Sequence, residues 1–165
     1  MKRALAVCAI ALALAGCVAD AAGTVAGKLV DKLLEPSPTR IDARIEATED
    51  INPDYDGKAS PLVVRLYELK SATAFNNAGF FALYDGDLAE LGGDLQNREE
   101  IELQPGQAME VKRDLKPDTR YIGIMAAYRD IDNATWRAVH QVEENETAEL
   151  TIAIRRLDVS IAETD

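Results

Sequence analysis

The sequence predicts an all-β protein, an antiparallel β-sandwich of about eight strands with a small helical insertion. From residue 40 onward, apolar and polar residues alternate in short runs, which is the pattern of strands with one buried face. Clusters of Pro, Gly, Asn and Asp separate these runs, as they do between the strands of a sandwich. The chain has 165 residues, which suits one domain with a single core.

Residues 1–16 have the three parts of a secretory signal peptide. Lys2 and Arg3 give a basic start, residues 4–13 form an apolar run, and small residues follow it. The run is too short to cross a bilayer as a helix, which takes about 20 apolar residues. We therefore expect this segment to be removed.

Cys17 ends the sequence Leu14-Ala15-Gly16-Cys17, which resembles a bacterial lipobox. In a lipobox the cysteine sulfur is acylated and the chain is cleaved directly before it. Two or three acyl chains anchor a protein almost permanently, because each buried methylene contributes about 0.8 kcal/mol. Val18 follows, where an aspartate retains enterobacterial lipoproteins at the inner membrane, so the expected location is the periplasmic face of the outer membrane. The alternative is an ordinary signal peptide and a free secreted protein.

Charge and composition limit the partners and the chemistry. Because Lys2 and Arg3 leave with residues 1–16, the formal net charge changes from −11 to −13. Such an acidic body is unsuited to nucleic acid or anionic lipid, and a charged partner should be basic. Cys8 also leaves and Cys17 is consumed by lipid, so we expect no disulfide within the chain. With His140 as the single histidine, we expect no metal site, cofactor, small-molecule substrate or enzymatic activity.

Residues 17–39 are predicted to be a lipidated N-terminus and tether, ahead of a β-sandwich domain over residues 40–165. Within the tether, residues 28–34 favour a short helix, and Pro-Ser-Pro follows at residues 36–38. The first strand is predicted over residues 40–48, where alternate apolar residues share one face: Ile41, Ala43, Ile45 and Ala47. A second, more buried strand is predicted over residues 62–69.

The loop between these two strands contains the strongest candidate for a metal site. The sequence Asn52-x-Asp54-x-Asp56-Gly57 matches the opening of an EF-hand calcium loop. That motif needs a bidentate glutamate six residues after the glycine, and Val63 stands there. Strands, not helices, flank the loop, so a solvated turn is favoured over a calcium site.

Residues 71–95 break the strand pattern and are predicted to form the helical insertion. Phe75, Ala78, Phe81 and Leu83 fall near helical spacing, residues 85–87 form a turn, and residues 88–91 add another helical turn before two glycines.

Further strands are predicted over residues 99–103, 108–112, 121–128, 135–139 and 149–161. In the last segment, Leu150, Ile152 and Ile154 have the opposite parity to Val159 and Ile161, so a bulge or turn is expected at residues 155–156.

Two alternative functions are open. Trp136 and Tyr128 flank a turn and could stack on sugar rings, as in a carbohydrate- or protein-binding lipoprotein module, although such aromatics more often fill the core. His140, followed by Glu143 and Glu144, could be the base of a hydrolase, although a lone histidine on a surface strand is rarely catalytic.

Several segments, taken in order behind the lipobox, resemble the type VI secretion outer-membrane lipoproteins of the TssJ (SciN, VasD-like) family. Residues 61–69 match the family's second strand, and residues 75–83, continuing to 94, match its helical insertion. Residues 103–106 match a turn, and residues 121–130 with Trp136-Arg137 match later strands. The residues after 154 are not covered by the resemblance.

This resemblance implies a transthyretin-like sandwich that binds the periplasmic domain of the inner-membrane protein TssM, within a TssJ–TssL–TssM complex, and has no enzymatic role. In the family, the loop between the first two strands contacts TssM. By position this loop is residues 52–60, and the candidate contact residues are Asn52, Pro53, Asp54, Tyr55, Asp56, Gly57 and Lys58. Residues 49–58 carry a net charge of −3, so we expect the loop to approach a basic patch, with Tyr55 as a buried anchor.

Overall fold

The structure, a computed structural model, describes residues 37–85 and 89–164. The predicted signal peptide (1–16), Cys17 and almost all of the predicted tether lie outside these residues. Within them, no helix has both the length and the apolar character needed to cross a membrane.

Eight strands form two four-stranded sheets that pack face to face. Sheet A has the order β4-β1-β7-β8, and sheet B has the order β3-β2-β5-β6. The strands are β1 (Arg40–Ala47), β2 (Leu62–Leu69), β3 (Leu95–Leu103), β4 (Ala108–Asp114), β5 (Tyr121–Ala126), β6 (Arg137–Gln141), β7 (Thr147–Arg155) and β8 (Asp158–Glu163). The predicted all-β sandwich is thus confirmed.

One strand pair departs from the antiparallel expectation. β1 and β7 are parallel, with Ile45 opposite Ile152, whereas the other pairs within the two sheets are antiparallel. A parallel pair needs a long crossover between its strands, and here the whole of sheet B lies between β1 and β7 in the sequence. The pairing leaves β1 in the interior of sheet A, with a strand on each side.

The alternation of the sequence sets the inner core. In β1 the four predicted apolar residues are buried, and their neighbours in sequence face outward or are only half-buried. Ile45 belongs to one fully buried cluster with residues of the facing sheet such as Leu66 and Ile124.

A buried charge joins the two sheets at one edge. Glu68 of β2 is 2% exposed, and its Oε1 accepts from Asn97 Nδ2 at 3.0 Å and from Arg113 Nε at 3.1 Å. Its Oε2 accepts from the backbone N–H of Lys116 at 3.0 Å. Because Arg113 belongs to β4 of sheet A, this carboxylate fastens the two sheets together, and its hydrogen bonds offset the cost of burying the charge.

The outer face of sheet B has a second core, covered by the helical insertion. Helices α1 (Thr73–Asn77) and α2 (Phe80–Tyr84) and a 3₁₀ turn (Gly92–Asp94) lie within the segment predicted to be helical. Their buried side chains pack against sheet residues in one cluster: Tyr67, Leu69, Phe75, Ala78, Leu83, Leu91 and Met125. At Gly123 a Cβ atom would lie 3.0 Å from the ring of Phe75, so the absence of a side chain lets the helix approach the sheet.

Several predicted boundaries differ from the structure. Of the predicted helical turn at residues 88–91, the described residues 89–91 form a non-helical turn. β3 begins at Leu95, four residues before the prediction, because the polar residues Asn97 and Arg98 also pair with β2, and a register shift then brings Leu95 opposite Leu69. β6 starts at Arg137, because Thr135 instead forms a bridge to Asp158 in β8. The parity change at residues 155–156 is the turn between β7 and β8, and β8 completes sheet A.

Candidate functional site

The loop between β1 and β2 is held at its base by Asn52. This residue is buried and has a φ of 47°, in the left-handed region that asparagine tolerates better than most residues. Its Oδ1 accepts from the backbone N–H of Arg129 at 2.8 Å, and its Nδ2 donates to the carbonyl of Pro61 at 2.8 Å. Its own N–H donates to the carbonyl of Arg156 at 3.0 Å. Asn52 therefore ties the loop to two neighbouring connections.

The tip of the loop is a closed turn organised by Asp54. Its Oδ1 accepts from the N–H groups of Asp56 at 3.0 Å and Lys58 at 2.9 Å. The backbone N–H of Asp54 donates to the carbonyl of Lys58 at 2.8 Å, and Gly57 supplies a φ of 81°, which a side chain would strain. The backbone of the turn is therefore held in place by hydrogen bonds within the loop itself.

Tyr55 stands at the tip with its side chain 100% exposed. Asp56, Gly57 and Lys58 are exposed beside it, whereas Pro53 is half-buried. The seven candidate residues thus divide into a tip that a partner can reach and a base that carries it. The sequence pattern could not separate the two groups, because Asn and Asp are turn formers at both places.

The calcium hypothesis conflicts with the roles of its oxygen atoms. Asn52 and Asp54 each direct a side-chain oxygen at backbone N–H groups of the protein. No group of three or more potential metal ligands occurs in residues 37–85 and 89–164. The structure therefore favours the solvated turn.

Tyr128 stabilises the base of the loop indirectly, through the β7–β8 turn. Its hydroxyl lies 2.9 Å from the carbonyl of Arg155 and 2.8 Å from that of Asp158, on either side of the β7–β8 turn that also binds Asn52. Burial and the nearby Asp158 carboxylate raise the pKa of Tyr128, so the hydroxyl stays protonated and can donate. Its ring is 2% exposed, which excludes it as a sugar-stacking surface.

Trp136 and His140, the other residues of the two alternative functions, lie in different parts of the sandwich. Trp136 is half-buried and packs at the edge of both cores, with Arg137 over its ring at 4.7 Å. His140 lies in β6, and its Nε2 is 3.6 Å from Glu163 Oε1 of β8. This contact joins the edges of the two sheets and is separate from the loop.

Helix α2 carries a group of exposed aromatic side chains that the apolar spacing did not predict. Phe81, taken from its spacing to belong with Phe75 and Leu83, is 63% exposed, and Tyr84 is 37% exposed. A helix of five residues can bury only one side, and Leu83 occupies it. The usable signal was the run of aromatics at positions 80, 81 and 84, too many for one short helix to bury.

The family model described as type VI secretion lipoprotein (VasD, EvfM, TssJ) matches residues 39–157. Among solved structures, the T6SS lipoprotein TssJ1 from Pseudomonas aeruginosa is 42% identical, with a TM-score of 0.75 over 78% of this chain and 98% of that one. Serratia marcescens Lip, a membrane-bound component of the type VI secretion system, shares the fold at 24% identity and a TM-score of 0.69, over 75% of this chain and 97% of that one.

Two further similar chains come from other structures of the type VI secretion system. One, from a structure described as a type VI membrane complex, is 27% identical, with a TM-score of 0.65 over 76% of this chain and 98% of that one. The other, from a structure described as the T6SS protein TssM C-terminal domain (869-1107) from EAEC, is 29% identical, with a TM-score of 0.63 over 74% of this chain and 99% of that one. Among curated proteins, none matches the chain.

Proposed function

Since the chain belongs to the type VI secretion lipoprotein (TssJ) family, with a role in the membrane complex of that system, we propose that it is the outer-membrane anchor of the complex and binds the periplasmic domain of TssM. Its role in this proposal is structural and not catalytic. The Tyr55 tip of the β1–β2 loop makes the central contact.

The similar chain in the structure described as the TssM domain supports TssM as the partner. That chain is covered over 99% of its length by 74% of the present 165 residues, which makes it much shorter than a fragment spanning 869–1107. The similarity therefore indicates a second chain of this fold beside TssM.

The exposed tyrosine carries the loop assignment. Because Asp54 fixes the backbone of the turn, binding orders chiefly the exposed Tyr55 side chain, and tyrosine is enriched among the residues that dominate interfaces. The net charge of −3 over residues 49–58 suits a basic partner surface.

Calorimetry of residues 17–165 with the purified periplasmic domain of TssM tests this proposal. We expect Tyr55→Ala to raise the Kd about tenfold or more. Asp56→Lys should also raise the Kd and make it less dependent on salt. Asp56 is a better choice than Asp54, whose carboxylate holds the turn together.

Glu110→Lys is the matched control, because it makes the same charge change on an exposed residue in the middle of β4. Unchanged affinity for both loop variants would refute the loop assignment. Absence of binding by the unmodified chain would refute TssM as the partner.

The membrane anchor has its own test in cells. Cys17→Ser should move the protein from the membrane fraction to the soluble periplasm, whereas Cys8→Ser, inside the predicted signal peptide, should not. On a density gradient that separates the two membranes, the unmodified protein should sediment with the outer membrane. Val18→Asp should shift it toward the inner membrane, and recovery of the unmodified protein with the inner membrane contradicts the proposal.

A further inference from the structure

Four aromatic rings form a continuous cluster on the outer face of sheet B, which we term the α2 patch: Phe80, Phe81, Tyr84 and Trp136. Phe80 stacks on Tyr84 with centroids 5.5 Å apart and meets the edges of Phe81 and Trp136 at 5.3 Å. Among the residues that the structure describes, the exposed large hydrophobic side chains are Tyr55, at the loop tip, and Phe81 and Tyr84 of this patch.

Two arginines from sheet B fix the patch in place. Arg65 Nη1 donates to the carbonyls of Leu83 at 2.9 Å and Tyr84 at 2.7 Å, and its guanidinium lies 4.9 Å from the Tyr84 ring centroid. Arg137 Nη1 donates to the carbonyl of Ala78 at 2.7 Å, directly before α2. The arginine bonds therefore hold the backbone that carries the exposed rings, and this lowers the entropic cost of binding.

The α2 patch adjoins the β1–β2 loop through two segments of backbone. Arg65 is four residues after Pro61, where the loop ends, which is about 13 Å along a strand. The β5–β6 connection, residues 127–136, contains Arg129, which is bonded to Asn52 at the loop base, and ends with Trp136 in the patch. This connection thus contacts the base of the loop at Arg129 and contributes Trp136 to the patch.

The size and charge of the surface formed by the β1–β2 loop and the α2 patch fit one basic protein partner. A standard protein interface buries about 800 Å² on each partner and involves about 20–30 residues, far more than a seven-residue loop supplies. Exposed Asp85 directly follows Tyr84 of the patch and repeats the acidic character of the loop. Tyrosine, tryptophan and arginine, which the patch combines, are the residues enriched at interface centres. An acidic rim disfavours an anionic lipid surface.

We propose that the α2 patch is the second half of the TssM-binding surface, so that one basic, apolar face of the partner covers both Tyr55 and Phe81. This inference rests on the proposed function. It assigns the helical insertion a recognition role in addition to covering the sheet.

The test compares Phe81→Ser with Phe81→Leu and Tyr55→Ala, in residues 17–165 carrying Cys17→Ser so that no acyl chain binds lipid. Phe81→Ser should raise the Kd for the periplasmic domain of TssM about tenfold, and Phe81→Leu, which keeps an apolar side chain, less than threefold. Because Phe81 is 63% exposed, the unfolding midpoint of both variants should stay near that of the parent, and this is measured alongside.

The outcomes separate the two proposals. If Tyr55→Ala weakens binding and Phe81→Ser does not, the α2 patch is not part of the interface, although the proposed function stands. If neither variant weakens binding, both the patch and the loop assignment are overturned. Flotation with neutral phospholipid vesicles tests the lipid alternative. Flotation abolished by Phe81→Ser, with TssM affinity unchanged, would assign the patch to the membrane and overturn the inference.

Discussion

Asn52 and Tyr55 are three residues apart in one loop, yet they have different physical roles. Asn52 is buried and meets three backbone groups, whereas Tyr55 is fully exposed. Asn52 can therefore affect a partner only indirectly, by holding Tyr55 in position. Replacing Asn52 should therefore affect stability first and binding as a consequence.

We expect Asn52→Ala to lower the free energy of unfolding by about 2 kcal/mol. The change leaves the Pro61 carbonyl and the Arg129 N–H without their partner and places alanine at a φ of 47°. Asn52→Gly should lose less, because glycine adopts this φ without strain. Urea unfolding followed by circular dichroism measures both.

Asp56→Ala, an exposed change in the same loop, is the control and should alter stability by no more than about 0.5 kcal/mol. Equal stability of the Asn52→Ala and Asp56→Ala proteins would show that the base of the loop does not depend on Asn52.

The two helices of the insertion have five residues each and are too short to be stable alone. Their order depends on burial of Phe75 and Leu83 and on the two arginines that bind their last carbonyls. Arg137 Nη1 donates to the carbonyls of Phe75 at 3.1 Å and Ala78 at 2.7 Å, at the end of α1. Such bonds satisfy carbonyl groups at the end of α1 that a short helix leaves without partners.

Arg137→Met should therefore loosen α1 while leaving the sheets intact. We expect the amides of α1 to exchange hydrogen at least tenfold faster, because each lost charge-assisted bond contributes about 1.5–3 kcal/mol. Amides of β1 and β7 should keep their protection. Arg98→Met, on the same face of sheet B in β3, is the matched control, and equal exchange of α1 in the two variants contradicts this role for Arg137.

Strands could be predicted from the sequence where the spacing of apolar residues alone decides their bounds. Strand order and the exposure of single side chains could not. The bounds of β2 and the buried face of β1 follow directly from apolar spacing. Spacing says nothing about which strands become neighbours, so the parallel β1–β7 pair could not be foreseen. It also treats Phe81 and Leu83 alike, although the short helix can turn only one of them to the sheet. The candidate loop was located by position, but the division between Asn52 and Tyr55 depends on contacts distant in sequence.

At the scale of the whole sandwich, the described residues form two cores, and each contains a buried tyrosine. Burial raises the pKa of Tyr67 in the outer core, and burial with Asp158 raises that of Tyr128 in the inner core. Both groups thus hold their protons more tightly in the folded state than in the unfolded state, where the pKa is about 10. Their contribution to stability is full below pH 10 and is lost as the pH rises above it.

We therefore expect alkaline unfolding in which phenolate from Tyr67 and Tyr128 appears together with loss of the β-sheet signal. Absorbance near 295 nm and circular dichroism, recorded in one titration, measure the two events. Tyr128→Phe should unfold less steeply with pH, from a lower starting stability, because one of the two groups is gone. Full ionisation of all five tyrosines with an unchanged sheet signal would contradict this coupling.

The interior position of β1 has a mechanical consequence. The chain enters the sandwich at Arg40, and the loop with Tyr55 follows the opposite end of the same strand. Tension between a lipid anchor before Arg40 and a partner bound at Tyr55 would act parallel to β1. Its hydrogen bonds to β4 on one side and β7 on the other would be sheared all at once, not peeled one by one. Under the proposed function, β1 would therefore be the strand that resists extraction of the protein by such tension.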